Sequence, residues 1–404
     1  MAGLEWLEGG ITAVPGILAA GLHCGIKVSG KKDLALIYSS TPSVAAGVFT
    51  TNQIVGAPVK VSREHLQGGV TQAIVASSGN ANVATGEQGV KDAREMVQLV
   101  AHQLRIPPTH VLVASTGIIG QPLPMEKIRA GIPKLVKGLS PQGGRAAADA
   151  IMTTDTRRKE AALRVEIGGR AVTLGGIAKG AGMIYPHLAT MFCFMVTDAA
   201  LTRDALDVVL RRTVEQSFNR IVIDGDRSTS DTVFFLANGL AENRPLAKGD
   251  RRLPAFQNAL DALAQRLALM LVQDGEGATK LVEIRVQGAG SQKDALTAAR
   301  AIANSLLVKT ALAGEDPNWG RIIAALGASG AHVEEDKVAI FYGDEPATER
   351  GQVRPGVRWA RVKEVLAGKE VLIRVDLGLG PGQAHVWTSD LTEEYIKINA
   401  RYTS

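Results

Sequence analysis

"GGIAKGAGMIYPHLATMFCFMV", residues 175–196, changes character at its middle. The first half is glycine-rich and carries one lysine, Lys179; the second half, from Phe192 onward, is a dense apolar run of the kind that forms a buried strand. Between them Thr190, a small hydroxyl residue, follows Ala189. Just upstream, "LRVEI" (163–167) and "AVTLGGI" (171–177) predict a hairpin that delivers the chain to this junction. Just downstream, "FCFMVTD" (192–198) predicts a strand. "TRDALDVVLRRTVEQSF" (202–218) predicts an amphipathic helix with Thr202 as its N-cap and Asp204 in its first turn.

Working outward, the earlier chain is dominated by short β-like runs punctuated by glycine: "LALIYS" around 35–39, "AAGVFT" (45–50), "VKVS" (59–62), "QAIVAS" (72–77) and "HVLVAS" (110–115). Residues 89–104 carry helical periodicity. Beyond the junction, "DTVFFLANG" (231–239) predicts a strand, helices are predicted at 256–272, 292–313 and 318–327, and strands near 281–287, 337–342, 370–376 and 384–388. Helices and short strands mix throughout, so the expected class is α+β or layered α/β, with mixed sheets. No repeat or Pro/Gly/Ser linker marks a boundary. The change of composition falls at about 189/190.

The chain has 404 residues, 46% hydrophobic and 21% charged, which suits a large buried core. Only 4% are aromatic, too few for a base-stacking surface, and the net charge of +5 comes from interspersed signs. The densest basic patches, Arg157-Arg158-Lys159 and Arg251-Arg252, read as solvated turns; no nucleic-acid partner is expected. No apolar run approaches a membrane span, and Glu5 and Glu8 give the N-terminal apolar stretch the wrong flank for a secretory signal. With two cysteines, Cys24 and Cys193, no disulfide framework is expected, and a cytoplasmic location follows as the default.

Common catalytic motifs are missing. "GIKVSGKK" (25–32) nearly matches the phosphate loop, but Lys32 stands where the metal-binding hydroxyl belongs, so it reads as a β-turn. The seven histidines show no ligand spacing, and no metal site is expected. His187 is near Thr190 in sequence and reads either as a turn histidine or as a base.

A threonine hydroxyl is a weak nucleophile that needs a base. When threonine is the first residue of a chain its own α-amine can serve, because that group titrates at about 7.7–8.0. An internal threonine gains the amine if the bond before it is cut, and a glycine-rich turn ending at Ala189 would let the hydroxyl attack the carbonyl behind it. Residue chemistry leaves two readings of Thr190, a packed strand-start residue or the nucleophile of a self-cleaving chain. Lys179 is likewise a solvated lysine or a carboxylate-binding group.

"AKGAGMIYPHLATMFCFMVTDA" (178–199) resembles the signature of the glutamate N-acetyltransferases, also called ornithine acetyltransferases, of arginine biosynthesis. "SGNANVATG" (78–86), "ASTGIIG" (114–120), "IMTTDT" (151–156), "DGDRSTSDT" (224–232), "GEGATK" (275–280), "GEDPNWGR" (314–321) and the final "YIKINARYTS" match the same family in the same order. The departures are Ser77 for the usual Asn, Val83-Ala84 for Ala-Cys, Arg227 for a small residue and Ser230 for Asn.

The resemblance implies a precursor that cuts itself between Ala189 and Thr190 into an α chain, 1–189, and a β chain, 190–404, assembled as an α2β2 heterotetramer. It implies ping-pong transfer of acetyl from N2-acetylornithine through Thr190 to glutamate without metal or organic cofactor, with acetyl-CoA left open as a second donor. Thr116 and Gly117 would hold the oxyanion. Thr153, Lys179, Glu276, Asn399 and Ser404 would bind substrate together with Thr190; Thr154, Thr156 and Thr403 are the neighbouring alternatives. Asp155 reads as an anchor for its turn, and Asp316-Pro317-Asn318 as a helix start. Two competing functions remain: an N-terminal-threonine amidase or aminopeptidase, in which water resolves the acyl-threonine, and an uncleaved metabolite-binding protein.

Overall fold

The computed structural model describes residues 3–185 and 191–401 and divides into two compact units. The first comprises the chain up to Asn219 plus Asp226–Leu271, and the second Arg220–Gly225 plus the chain from Val272 onward. The expected fragment boundary at 189/190 therefore falls inside the first unit, so fragments and folding units are different divisions of the chain.

The first unit is built on a nine-stranded mixed sheet. Its strands are β1 (Glu5–Leu7), β2 (Ile17–Leu22), β3 (Leu34–Phe49), β4 (Val70–Asn80), β5 (Val111–Ile118), β6 (Lys159–Ile167), β7 (Arg170–Lys179), β8 (Phe192–Thr197) and β10 (Thr232–Ala237); the intervening β9 (Ile221–Val222) belongs to the second unit. They run β1-β6-β7-β8-β10-β3-β4-β5, with β2 paired to β3. β8 and β10 are parallel, read FCFMVT and TVFFLA, and are buried at every position, as expected of strands covered on both faces. Phe192, Phe194 and Phe234 stack in sequence there, with ring centroids 5.5 and 5.6 Å apart. The predicted β6–β7 hairpin is present, paired from Lys159↔Ala178 to Ile167↔Arg170.

Helices α1 (Ala57–Leu66) and α2 (Gly86–Leu104) pack together on β5, and α3 (Met125–Lys137) packs against α2, β3 and β2. The short α4 (Gly144–Ile151), whose buried face is made of Ala147, Ala148, Ala150 and Ile151, touches β2, β3, β4, β6 and β7. α5 (Arg203–Gln216) begins at Thr202, whose hydroxyl caps Ala205 N. α6 (Leu253–Gln273) carries the chain into the second unit.

The second unit holds a seven-stranded sheet in the order β14-β13-β12-β15-β11-β16-β9, formed with β11 (Leu281–Ala289), β12 (Ala339–Tyr342), β13 (Glu345–Glu349), β14 (Gln352–Val353), β15 (Glu370–Asp376) and β16 (Gly382–Ser389). Its helices are α7 (Gln292–Asn304), α8 (Leu306–Ala313), α9 (Trp319–Gly327), α10 (Trp359–Ala367) and α11 (Glu393–Ala400).

Two sequence expectations are corrected. "VKVS" (59–62) lies in α1, not in a strand. Pro58 stands at the helix start, and Val59, Val61, Ser62, His65 and Leu66 are buried, so packing overrides the β-branched propensity. The single helix expected over 292–313 is broken at Ser305, whose hydroxyl caps α8 by accepting from Val308 N at 3.3 Å.

Candidate active site

The parallel pair β4 and β5 places Ser78 opposite Thr116 and Gly79 opposite Gly117. Gly117 has φ +134°, and a Cβ there would lie 2.3 Å from the Gly79 carbonyl carbon, so glycine is required both for conformation and for the close approach of the two strand ends. Thr116 is buried beside it, and Lys179, the last residue of β7, reaches its Oγ1 with Nζ at 3.5 Å. Along the sheet β7 and β5 stand five neighbour steps apart, about 24 Å if the sheet were flat. The sheet is therefore strongly curled, with α4 inside the curl.

The turn after α4 links the two strand ends. Asp155, fully buried, accepts from Thr153 N (2.9 Å) with Oδ2, and from Gly180 N (2.7 Å) and Lys159 Nζ (2.5 Å) with Oδ1. Burial disfavours its charge, but Lys159, Lys179 and the Gly180 N–H outweigh that and hold its carboxyl down to about 2. Asp155 thus fixes the Thr153 backbone and the residue after Lys179 together. Thr153 and Thr154 are half-buried, and Thr156 is exposed. Lys159, expected in a solvated basic turn, is instead wholly buried as the partner of Asp155; the signal available in sequence was the i,i+4 spacing of acid and lysine.

Ala189, Thr190, His187 and Pro186 lie outside the described residues, as do Thr403 and Ser404. Met191, which follows Thr190, donates its N–H to Asp231 Oδ1 at 2.9 Å. Asp231 is buried at the start of β10, and burial pushes its carboxyl well above the usual carboxylate range. Sequence reasoning passed over it, although it lies within "DGDRSTSDT".

In the second unit, Glu276 and Asn399 are brought together: Asn399 Nδ2 donates to Glu276 Oε2 at 2.7 Å and to Tyr395 O at 3.0 Å. The glycine turn carrying Glu276 is tied to the chain around α11. Thr392 Oγ1 donates to Gly277 O (2.7 Å), and Thr279 N and Lys280 N donate to Asp390 Oδ1 (2.8 and 3.0 Å). Gly277, at φ +70°, admits no Cβ, which would lie 2.6 Å from Tyr395 N. Asn318 caps α9 by accepting from Arg321 N, the helix start its sequence suggested.

The near-phosphate loop at 25–32 surrounds an internal anion. The N–H groups of Cys24, Gly25, Ile26 and Lys27 all donate to the buried Asp33 carboxylate, at 2.7–3.1 Å. Lys27 Nζ donates to Lys32 O and Met152 O, pinning this loop to the turn that precedes Asp155. Burial lowers its ammonium to about 8, the positive charge of Lys179 adding to that effect while Asp33 and Asp155 oppose it. A cavity of about 620 Å³ opens elsewhere in the first unit, beside Arg63, Arg203, Asp207 and Arg211, and none of the predicted site residues borders it. Among the described residues no group of three or more His, Cys, Asp or Glu could hold a metal, and no helix is long and apolar enough to cross a membrane.

Comparison with known proteins gives a consistent result. The model of the ArgJ family matches residues 18–404. The arginine biosynthesis bifunctional protein ArgJ of Symbiobacterium thermophilum is 50% identical over 401 residues, 99% of this chain and 100% of that protein. The protein of the same name from Geobacter sulfurreducens is 49% identical over 389 residues, 96% of this chain and 99% of that one. A crystal structure of ornithine acetyltransferase complexed with ornithine, from Mycobacterium tuberculosis, is similar at 41% identity, covering 46% of this chain and 98% of that one with a TM-score of 0.43.

Proposed function

The chain belongs to the ArgJ family and is an acetyltransferase of arginine biosynthesis, and from that premise we propose that it carries acetyl from N2-acetylornithine to glutamate as an ester on Thr190. Thr190 first attacks the Ala189 carbonyl, its own nitrogen departs with a proton, and water hydrolyses the resulting ester. The α-amine freed in this way then accepts the Thr190 hydroxyl proton. The hydroxyl oxygen attacks the acetyl carbonyl, the carbon–nitrogen bond breaks, and ornithine leaves with the proton on its amine. The amine of glutamate attacks the acetyl ester, releasing N-acetylglutamate and restoring the hydroxyl.

The observation that carries this reading is the Lys179–Thr116 contact. A hydroxyl offers one proton and two lone pairs. With the Lys179 ammonium donating to Oγ1, the Thr116 proton is directed elsewhere and made a stronger donor for an oxyanion. Gly117 supplies the backbone N–H of the pair. Within the first unit, Lys179 or the Thr153 turn suits a substrate carboxylate. Within the second, Glu276, oriented by Asn399, suits a substrate ammonium. Ser404 joins this binding set by family resemblance.

Cleavage leaves the fragments joined: β7 and β8, on opposite sides of the cut, pair from Leu174↔Thr197 to Lys179↔Phe192. That supports a persistent α–β pair, and we extend it to the α2β2 heterotetramer. The word "bifunctional" in the relatives' names supports acetyl-CoA as a second donor. Incubation with N2-acetylornithine, with and without glutamate, tests the reading: ornithine release beyond a first equivalent per enzyme should depend on glutamate and match the acetylglutamate formed. Acetate released without glutamate would instead identify an amidase. Acetyl-CoA in place of acetylornithine tests the second donor.

A further inference from the structure

The cavity in the first unit lies against an open strand edge. Between Ala45 and Phe49, β3 pairs with β10 on one side, while its pairing with β4 ends at Val44↔Val70. Thr50 N donates to Asp231 O at 3.1 Å, so by the alternation of an antiparallel ladder the backbone groups of Ala45, Gly47 and Phe49 point away from β10. Ala45 N finds Gly69 O at 3.3 Å. Among the described residues nothing bonds the outward N–H and C=O of Gly47 or the N–H of Phe49, and both residues line the cavity. Unpaired edge groups are a template for a further extended segment.

The charge of the lining narrows the occupant. Arg63, Arg203, Arg211 and Lys248 stand there against two carboxylates, Asp204 and Asp207, and Asp207 already accepts from Arg211 Nε at 2.8 Å. Two of the guanidiniums are anchored by carbonyls. Arg63 Nη2 donates to Thr50 O (3.0 Å), and Arg203 Nη1 and Nη2 donate to Gln67 O and Leu66 O (both 2.9 Å). A guanidinium has five N–H donors, so each anchored group keeps donors for a carboxylate. Ala45, Ala46 and Leu66 supply an apolar wall. We propose that this cavity binds an N-acylated acidic amino acid. Its amide N–H donates to the Gly47 carbonyl, its α-carboxylate accepts from the Gly47 N–H, its side-chain carboxylate meets the arginines, and its acyl group lies on the apolar wall. Acylation removes the ammonium that the surrounding cations would repel. None of the predicted site residues borders the cavity, so this is a second site. N-acetylglutamate, the product of the transfer proposed above, belongs to this class, and its choice as the ligand rests on that reading.

Hydrogen–deuterium exchange of the whole protein, read by mass spectrometry over residues 44–49, tests this with N-acetyl-L-glutamate as the probe. Protection there should appear and saturate below about 10 mM. Glutarate lacks the amide and N2-acetylornithine adds an ammonium, so each should bind about tenfold more weakly or worse. Arg63→Gln and Lys248→Glu should each weaken the binding of N-acetyl-L-glutamate about tenfold or more, at the wild-type melting temperature and kcat. No protection at about 10 mM would overturn the proposal. So would glutarate or N2-acetylornithine as effective as N-acetyl-L-glutamate, or protection unchanged in both variants. If Arg63→Gln melts at a lower temperature, Lys248→Glu decides alone, since Lys248 is exposed. Weakened binding in that variant supports the site, and wild-type binding overturns it. Failure of the underlying reading looks different: no acetylglutamate would form from N2-acetylornithine and glutamate, whatever the exchange at 44–49.

Discussion

Lys179 Nζ and Thr116 Oγ1 lie 3.5 Å apart although their strands, β7 and β5, are five steps apart in the sheet. The curl that joins them brings Thr116 of "STGIIG" and Lys179 of "AKGAG", 63 positions apart, into one buried cluster. Burial matters to the chemistry, because a charge-assisted donor is worth more where water is excluded.

Thr116→Val keeps the shape of the side chain and removes the donor. The oxyanion exists only during acyl transfer, so kcat should fall by about 10²–10³ with little change in KM. Self-cleavage should slow as well, since it passes through the same kind of intermediate. Steady-state kinetics and a time course of fragment appearance check both.

Gly117→Ala should disable the same site by a different route. The new Cβ would meet the Gly79 backbone at 2.3 Å in a conformation that L-residues rarely adopt. The strand ends must part, at a cost of about 1–3 kcal/mol or more, and the oxyanion donors move with them. A lowered melting temperature together with impaired cleavage is expected.

Glu276→Gln should mature at the normal rate and act on binding. The substrate ammonium is charged before and after transfer, so its partner stabilises ground and transition states alike. Losing a charged hydrogen bond should raise KM about ten- to a hundredfold while kcat stays near wild type.

Asp155→Asn should be costly, because it removes the negative charge that faces buried Lys159; about 3–5 kcal/mol is expected near pH 7. The pH dependence has a definite sign. The folded carboxyl titrates at about 2, below its ordinary 3.8, so its contribution is fully present above about pH 4 and is lost as pH falls toward 2. Denaturation curves of wild type and variant should converge over that window.

Much of this was legible in the sequence where one residue pattern decides one element. β8 and β10 are continuous apolar runs, the end of β6 (LRVEI) alternates apolar and charged residues, and Thr202 announces α5. α1 was misread because Val59 and Val61 look like a strand until the burial of His65 and Leu66 is known. α3 was missed because Gly131 and Pro133 interrupt it. The family motifs pointed to Thr116, Lys179 and Glu276. The grip of Asp231 on Met191 joins segments 40 residues apart, which no local spacing reveals.

The central claim is that Thr190 becomes a chain terminus and carries the acetyl group. Intact-mass and peptide analysis of active protein, quenched after brief exposure to N2-acetylornithine without glutamate, tests it most directly. The account predicts a fragment beginning at Thr190 with one acetyl group on that residue, removed on adding glutamate, and an uncleaved, inactive Thr190→Ala protein. Active protein that remains a single chain, or an acetyl group carried elsewhere, would contradict it.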